Sequence, residues 1–339
     1  MREPVALPKH NMRKELKGAP RLARMAASLA LRIRYGSLEI SFPDGRKFSI
    51  QGREDGPRGV LDIHDWRFFR MVVKAGDVGV GEAFMAGYWS SPDVTTFLEV
   101  FCINQESTLE AIQGRPLTRI LLSVRHWLNS NTRSGSKRNI SAHYDLGNAF
   151  YKEWLDPSMT YSSAIYSNET NNLEQAQAEK YASLVKQTGI EPGHSVLEIG
   201  CGWGGFAEHV AKTVGAHVKA LTISREQYDY ARERIFKAGL NDKVDVVFQD
   251  YRDERGVYDL IASIELFEAV GENYWTTYFG QLSNCLKPGG KAGLQIITIQ
   301  DTMFEDYRRG TDFIQRYIFP GGMLPPPGRL VEIGKSLGL

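Results

Sequence analysis

The stretch LEIGCGWGGF, residues 197–206, places Gly200, Gly202 and Gly204 at every second position, after an apolar run and ahead of a segment with helical spacing. Glycine lets a backbone take positive φ and leaves room for a ligand to lie against the main chain. A tight turn between a strand and a helix would use the same residues, so the glycines alone leave both readings open. The dinucleotide fingerprint spaces its glycines as G-x-G-x-x-G and sets an acid about 20 residues further on. Here the acid, Glu198, stands two residues ahead of the first glycine. Two more polar points follow predicted strands. ALTISREQ offers Thr222 and Ser224, and FQDYRD offers Asp250, a carboxylate able to accept from N–H donors.

Such points must be held by a scaffold, and from about residue 139 strand and helix patterns alternate. Strands are expected at 195–200, 217–222, 244–248, 258–264 and 291–299. Helices are expected near 172–188, 204–214, 225–238 and 272–286. This order predicts an α/β domain with a parallel sheet, whose ligands bind outside the carboxyl ends of the strands. Ahead of it, residues 35–128 read as a small α+β domain. GSLEISFPDGRKFSIQG is two alternating strands around Pro43-Asp44-Gly45, a hairpin signal. GVLDIHDWRFFRMVVKAG then reads as a strand passing into a helix, and Ser91-Pro92-Asp93 as a turn. Residues 129–138, rich in Ser, Asn and Gly, read as a linker.

The chain has 339 residues and a net charge of +1, but the charge is uneven. Residues 1–34 hold nine basic residues against two acidic ones and read as a basic tail. RPLTRILLSVRHWL sets Leu117, Ile120, Leu121, Val124, Trp127 and Leu128 at helical spacing, with Arg119 and Arg125 elsewhere on the wheel. That helix packs on its own protein or lies on an anionic lipid surface; both readings stand. No apolar run is long enough for a transmembrane helix, and the amino terminus lacks the apolar core of a secretory signal. Cys102, Cys201 and Cys285 are odd in number and widely spaced, as in a reducing cytoplasm. The seven histidines show no ligand spacing, and no metal is expected.

The acid-first glycine loop is similar to the first motif of class I S-adenosylmethionine (SAM) methyltransferases. Five segments together narrow the likeness: HYDLGNAFYKEWLDPSMTYSSAIY (143–166), VLEIGCGWGGF (196–206), LTISREQ (221–227), SIELFEAVGENYW (263–275) and DFIQRYIFPGGMLP (312–325). In that order they resemble the cyclopropane-fatty-acid synthase family, which includes the mycolic acid cyclopropane synthases. GEAFMAGYW resembles the amino-terminal domain of bacterial members. The resemblance implies a Rossmann-like methyltransferase sheet and a SAM site made of Tyr161, Ser162, Glu198, Gly200, Gly202 and Gly204. It continues through Thr222, Ile223, Ser224, Arg225, Glu226 and Gln227, with Asp250, Tyr251 and Arg252 beside the adenine and Ile264 lining the pocket. The implied reaction is methyl transfer to the double bond of an unsaturated acyl chain in a membrane phospholipid. The enzyme is then cytoplasmic and peripheral to the membrane, with a homodimer left open.

An alkene is a weak nucleophile, so the donor methyl must be held against it in a dry, apolar slot. Aromatic faces can stabilise the resulting carbocation, and a base must then remove a proton. In the family that base is a bicarbonate held by a glutamate, a histidine, a cysteine and a tyrosine. Glu268 matches the glutamate, but Ser163 stands for the cysteine and Ile297 for the histidine. Serine still donates a hydrogen bond; isoleucine does not. A cyclopropane ring and a methyl branch therefore both stay open as products. The family's last two strands and its tyrosine have no counterpart here, so 139–339 reads as a methyltransferase domain truncated at its carboxyl end. Two alternatives remain: an O- or N-methyltransferase of small molecules, and a non-catalytic lipid-binding homologue. Nucleic acid is not an expected partner, because the Asp/Asn-Pro-Pro-aromatic motif of base methyltransferases is missing: Pro325-Pro326-Pro327 runs into Gly328.

Overall fold

A computed structural model describes residues 5–6, 15–104, 147–167 and 172–339. The chain divides into two compact units, residues 1–123 and 124–339.

In the first unit the hairpin expected around Pro43-Asp44-Gly45 forms. β2 (Tyr35–Ser41) pairs antiparallel with β3 (Lys47–Gln51), Leu38 opposite Ile50 and Ile40 opposite Phe48. Alternation sends these four side chains to one face, where they meet Leu61 and Ile63 of β4 (Glu54–Ile63). With β1 (Val5–Ala6) and β5 (Trp89–Ser90) the order is β1-β3-β2-β4-β5. Helix α1 (Arg21–Ala30) buries Ala23 and Ala27 against this core, together with Leu16 and Ile33. The segment read as a basic tail therefore joins the unit from residue 15, because its small and apolar residues fall on one face while the arginines stay outside. Helix α2 (Arg67–Met85) breaks at Gly76, where φ is 58°. At the Ser91-Pro92-Asp93 turn the Asp93 carboxylate caps α3 (Val94–Ile103) by accepting from Thr96 N–H at 3.0 Å. The basic helix expected at 115–128 and the linker at 129–138 lie outside the described residues.

The second unit carries the alternating pattern. Five parallel strands run β6 (Ser195–Ile199), β7 (His217–Thr222), β8 (Val244–Phe248), β9 (Tyr258–Ile264) and β10 (Leu286–Gln295). Their order is β10-β9-β6-β7-β8. The strand order reverses between β6 and β9, which makes the crevice above their carboxyl ends the place for a ligand. α6 (Gly205–Thr213) and α7 (Arg225–Lys237) cover one face with Phe206, Val210, Ala231 and Ile235. α8 (Trp275–Cys285) covers the other with Trp275, Tyr278 and Leu282. Burying an apolar side chain such as Phe206 or Leu282 stabilises the sheet by about 1.5–3 kcal/mol. α4 (Gly147–Lys152) and α5 (Leu173–Thr188) precede the sheet.

The last strand differs from the expected 291–299, since it ends at Gln295. Beyond it the backbone finds other partners: Ile297 N–H donates to the Glu268 carboxylate, and Ile299 N–H to Pro325 O at 3.2 Å. The chain then continues through α9 (Asp301–Tyr307), α10 (Phe313–Tyr317) and α11 (Pro327–Ser336).

Candidate functional site

All three loop glycines have positive φ, for three different reasons. At Gly200 a Cβ would meet Leu266 Cδ1 at 2.7 Å, so glycine is needed to let the turn after β9 pack close. At Gly204, the cap of α6, a Cβ would lie 3.1 Å from the Ala231 Cβ of α7. At Gly202 a Cβ would meet nothing within 4 Å. That glycine faces open space. The loop is tied to the neighbouring strand, since Gly200 N–H and Cys201 N–H both donate to Leu221 O at 3.0 and 2.9 Å.

The open space is a cavity of about 490 Å³ above the carboxyl ends of β6, β7 and β9. Its lining includes Tyr161, Ser162, Glu198, Gly200, Gly202, Thr222, Ile223, Gln227, Asp250, Tyr251, Arg252, Ile264 and Glu268, all singled out from sequence. Five other expected residues are not on its wall. Gly204 acts in helix packing, and Ser224 caps α7 by accepting from Gln227 N–H. Arg225 is exposed and pairs with Asp229 at 2.8 Å, and Glu226 is exposed beside it. Ser163 stands just beyond the lining.

Glu198 is 3 % exposed, and burial pushes its carboxyl up to about 8. Among the described residues its Oε2 has no hydrogen-bond partner. A buried orphan acceptor on a cavity wall suits a ligand bearing N–H or O–H donors. Asp250 is held by Arg252, which donates to both of its oxygens at 2.9 and 2.6 Å. Thr222 Oγ1 donates to Gln227 Oε1 at 3.0 Å, fixing the polar pair below. Ser162 is held from behind: Gln177 donates to its carbonyl at 2.8 Å, and Lys180 Nζ to its hydroxyl. Lys180 is 2 % exposed, and burial lowers its ammonium to about 8. Sequence reading missed this lysine, which a polar helix such as α5 does not advertise.

Away from the glycine loop the wall turns apolar, with Leu266, Val270, Ile297, Ile314, Phe319 and Met323. Tyr161 and Phe319 stack with centroids 6.5 Å apart. Burial pushes the Tyr161 hydroxyl up, with Glu265 adding to it, so the ring stands there as a neutral aromatic face.

Two carboxylates share this end. Glu268 Oε1 accepts from Ile297 N–H, while its Oε2 is buried and unpartnered among the described residues. Burial pushes Glu268 up to about 7, with the Glu265 charge adding in the same direction. Glu265, which sequence reading passed over, also lines the cavity. It follows β9 with φ of 47°, a left-handed conformation that costs a non-glycine residue roughly 1–2 kcal/mol. Its Oε1 accepts from Ser163 N–H at 2.9 Å, Ser163 Oγ–H at 2.7 Å and Gln295 Nε2–H at 2.8 Å. Gln295 also donates to Ser163 Oγ at 3.0 Å. The only sequence hint was a second acid three residues ahead of Glu268.

The bicarbonate implied by the resemblance can be tested against these residues. It would need the donors of Ser163 and its neighbours, and they are engaged by Glu265. Ile297 presents no polar side chain, and two carboxyl groups already border the place. The residues present do not fit a bound bicarbonate.

The family profile described as mycolic acid cyclopropane synthetase matches residues 131–339. A tuberculostearic acid methyltransferase of Mycobacterium tuberculosis is 34 % identical over 338 residues, covering 94 % of this chain and 74 % of its own length. The cyclopropane-fatty-acyl-phospholipid synthase of Escherichia coli is 33 % identical over 311 residues, covering 87 % of this chain and 76 % of its own. A solved mycolic acid cyclopropane synthase complexed with SAH and CTAB superposes with a TM-score of 0.55 at 26 % identity, over 60 % of this chain and 74 % of that one.

Proposed function

The chain belongs to the mycolic acid cyclopropane synthetase family, and on that footing we propose that it transfers the methyl group of SAM to the double bond of an unsaturated fatty acyl chain of a membrane phospholipid. One observation carries the reading. A single cavity runs from a backbone-built glycine loop with an orphan acidic acceptor to an apolar, aromatic wall closed by two carboxylates. The first half fits SAM: Gly202 leaves the space, Glu198 offers an acceptor, and Tyr251 and Asp250 border the place for the adenine. The solved relative complexed with SAH supports this assignment.

The donor supplies an electrophilic methyl group on sulfur. The chain's own residues supply position and dryness, and for a reactant as weak as an alkene these are most of the catalysis. Leu266, Val270 and Met323 exclude water from the acyl path. Tyr161 and Phe319 present aromatic faces to the positive charge that develops on the acyl carbon. Proton removal falls to the acid end, where Glu268 stands on the wall and Ser163 acts through Glu265. A ring and a branch both stay open as products of this chemistry.

The substrate lies in a bilayer, and attachment to the membrane surface belongs to the same proposal. Ile314 and Ile297 line the cavity and are themselves 51 % and 48 % exposed, giving the opening an apolar rim. Among the described residues no helix is long and apolar enough to cross a membrane. Methyl-labelled SAM incubated with the protein and phospholipid vesicles tests the reading. Label is expected in lipid from monounsaturated vesicles and not from fully saturated ones; equal labelling of both, or of water-soluble products alone, overturns it.

A further inference from the structure

We propose that Glu265 is itself the proton acceptor of the reaction, so that this enzyme needs no bicarbonate. The inference rests on the methyl-transfer reading above. Its basis is the arrangement of Ser163, Glu265 and Gln295. Two hydrogen bonds from Ser163 and one from Gln295 converge on a single oxygen, Glu265 Oε1. The same glutamine donates to Ser163 Oγ and to the Ser163 carbonyl, closing the cluster. The backbone supports it too, since Glu265 N–H donates to Gln295 O at 2.8 Å where β9 and β10 end side by side.

These donors leave Glu265 Oε2 without a hydrogen-bond partner among the described residues, on a side chain that lines the cavity. A general base is served by such a division, with one oxygen fixed and the other left to take the proton. Glu265 holds a left-handed φ of 47°, and such outliers persist where the surroundings over-determine them. Ser163 and Gln295 are then positioning residues. Glu268, three residues on, also has one oxygen on a donor, Ile297 N–H, and the other unpartnered among the described residues; what sets Glu265 apart is three donors converging on one oxygen at the ends of β9 and β10.

The step balances without another reactant. The alkene π pair forms the new carbon–carbon bond to the methyl group as the sulfur–carbon bond breaks, and the sulfonium becomes a neutral thioether. The cation is left on the neighbouring acyl carbon. Glu265 Oε2 takes a proton from the transferred methyl group, and that C–H electron pair closes the ring onto the cationic carbon; where a hydride first shifts from the methylated carbon to the cationic one, loss of the same proton leaves a methylene branch. The carboxylic acid returns its proton to water.

This chain, methyl-labelled SAM and vesicles of dioleoylphosphatidylglycerol test this. Wild-type turnover is expected to be equal, within about twofold, in bicarbonate-free buffer and with bicarbonate added. Glu265→Gln keeps the shape and the contacts to Ser163 but cannot take the proton. Its turnover is expected to fall by about 10²–10⁴-fold while SAH affinity by calorimetry stays near wild type. Glu265→Gly suits the positive φ and frees the donors of Ser163 and Gln295, so bicarbonate is expected to restore part of its activity. A wild type that depends on bicarbonate overturns the inference, whatever the variants do. So does a Glu265→Gln rate within tenfold of wild type, or a Glu265→Gly enzyme that bicarbonate leaves inactive. A wild type that labels no lipid at all overturns the methyl-transfer reading, and this inference with it.

Discussion

Between Ile199 and Gly205 the cavity wall is main chain, set by three positive-φ glycines and two hydrogen bonds to Leu221 O. At the opposite end, from Glu265 to Val270, the wall is side chain, and its shape depends on which partner each carboxylate finds. The first end depends on glycine at positions 200, 202 and 204, while the second depends on the hydrogen-bonding chemistry of its side chains. A donor common to many reactions can be gripped by backbone alone. Proton handling is left to side chains and the partners they find.

The largest effect expected from breaking this contrast is at Gly202. Valine there would project into the donor's space, at a φ of 53° that a β-branched residue rarely adopts. SAH affinity is expected to fall by roughly 100-fold or more, about 3 kcal/mol, with the fold retained by circular dichroism. Affinity close to wild type would show that the loop does not face the ligand.

At the acid end, Glu268→Gln is expected to be milder. An amide oxygen still accepts from Ile297 N–H, and a carboxyl pushed up to about 7 is already partly neutral near neutral pH. Turnover is expected to drop by about tenfold, with SAH affinity unchanged. A loss larger than that of Glu265→Gln would move the proton acceptor to Glu268.

The ends also differ in how much of them was legible. The glycine loop, the strands around it and Glu198 follow from spacing and periodicity, because local backbone demands leave local signatures. The acid end joins residues 163, 265 and 295, far apart in sequence and brought together by the fold, with β9 and β10 setting the last two side by side. No local pattern marks Gln295 as a partner of Glu265, and Lys180 sits on an otherwise ordinary polar helix. The resemblance named Ser163 and Glu268 but not the contacts they make. Arg225 and Glu226 show the converse, since a continuous motif was read as a binding run although helix periodicity turns two of its residues to solvent.

Titration sharpens the donor end. Burial raises Glu198 to about 8 from an ordinary 4.5. A raised acid contributes stability that is full below its unfolded value and lost as pH rises through its folded one. The wild type should therefore lose stability relative to Glu198→Gln between pH about 4.5 and 8, read as a narrowing or reversing gap in Tm. A gap that stays constant over that range would show a carboxyl in contact with water. The smallest effect is expected for Arg225→Ala. With the residue exposed and its contacts, Asp229 and the Tyr228 ring, in the same helix, stability should stay within about 0.5 kcal/mol and SAH affinity within about twofold. A large loss of affinity would bring that side chain back to the donor.

The central claim is that one cavity sets a donor methyl group against a carbon–carbon double bond. Mass spectrometry of phospholipid after reaction with carbon-labelled SAM tests it most directly, by fragmenting the product to locate the added carbon. The account predicts that carbon on a former alkene position, as part of a ring or a branch. Label on a headgroup nitrogen or oxygen, with the double bond intact, would contradict it.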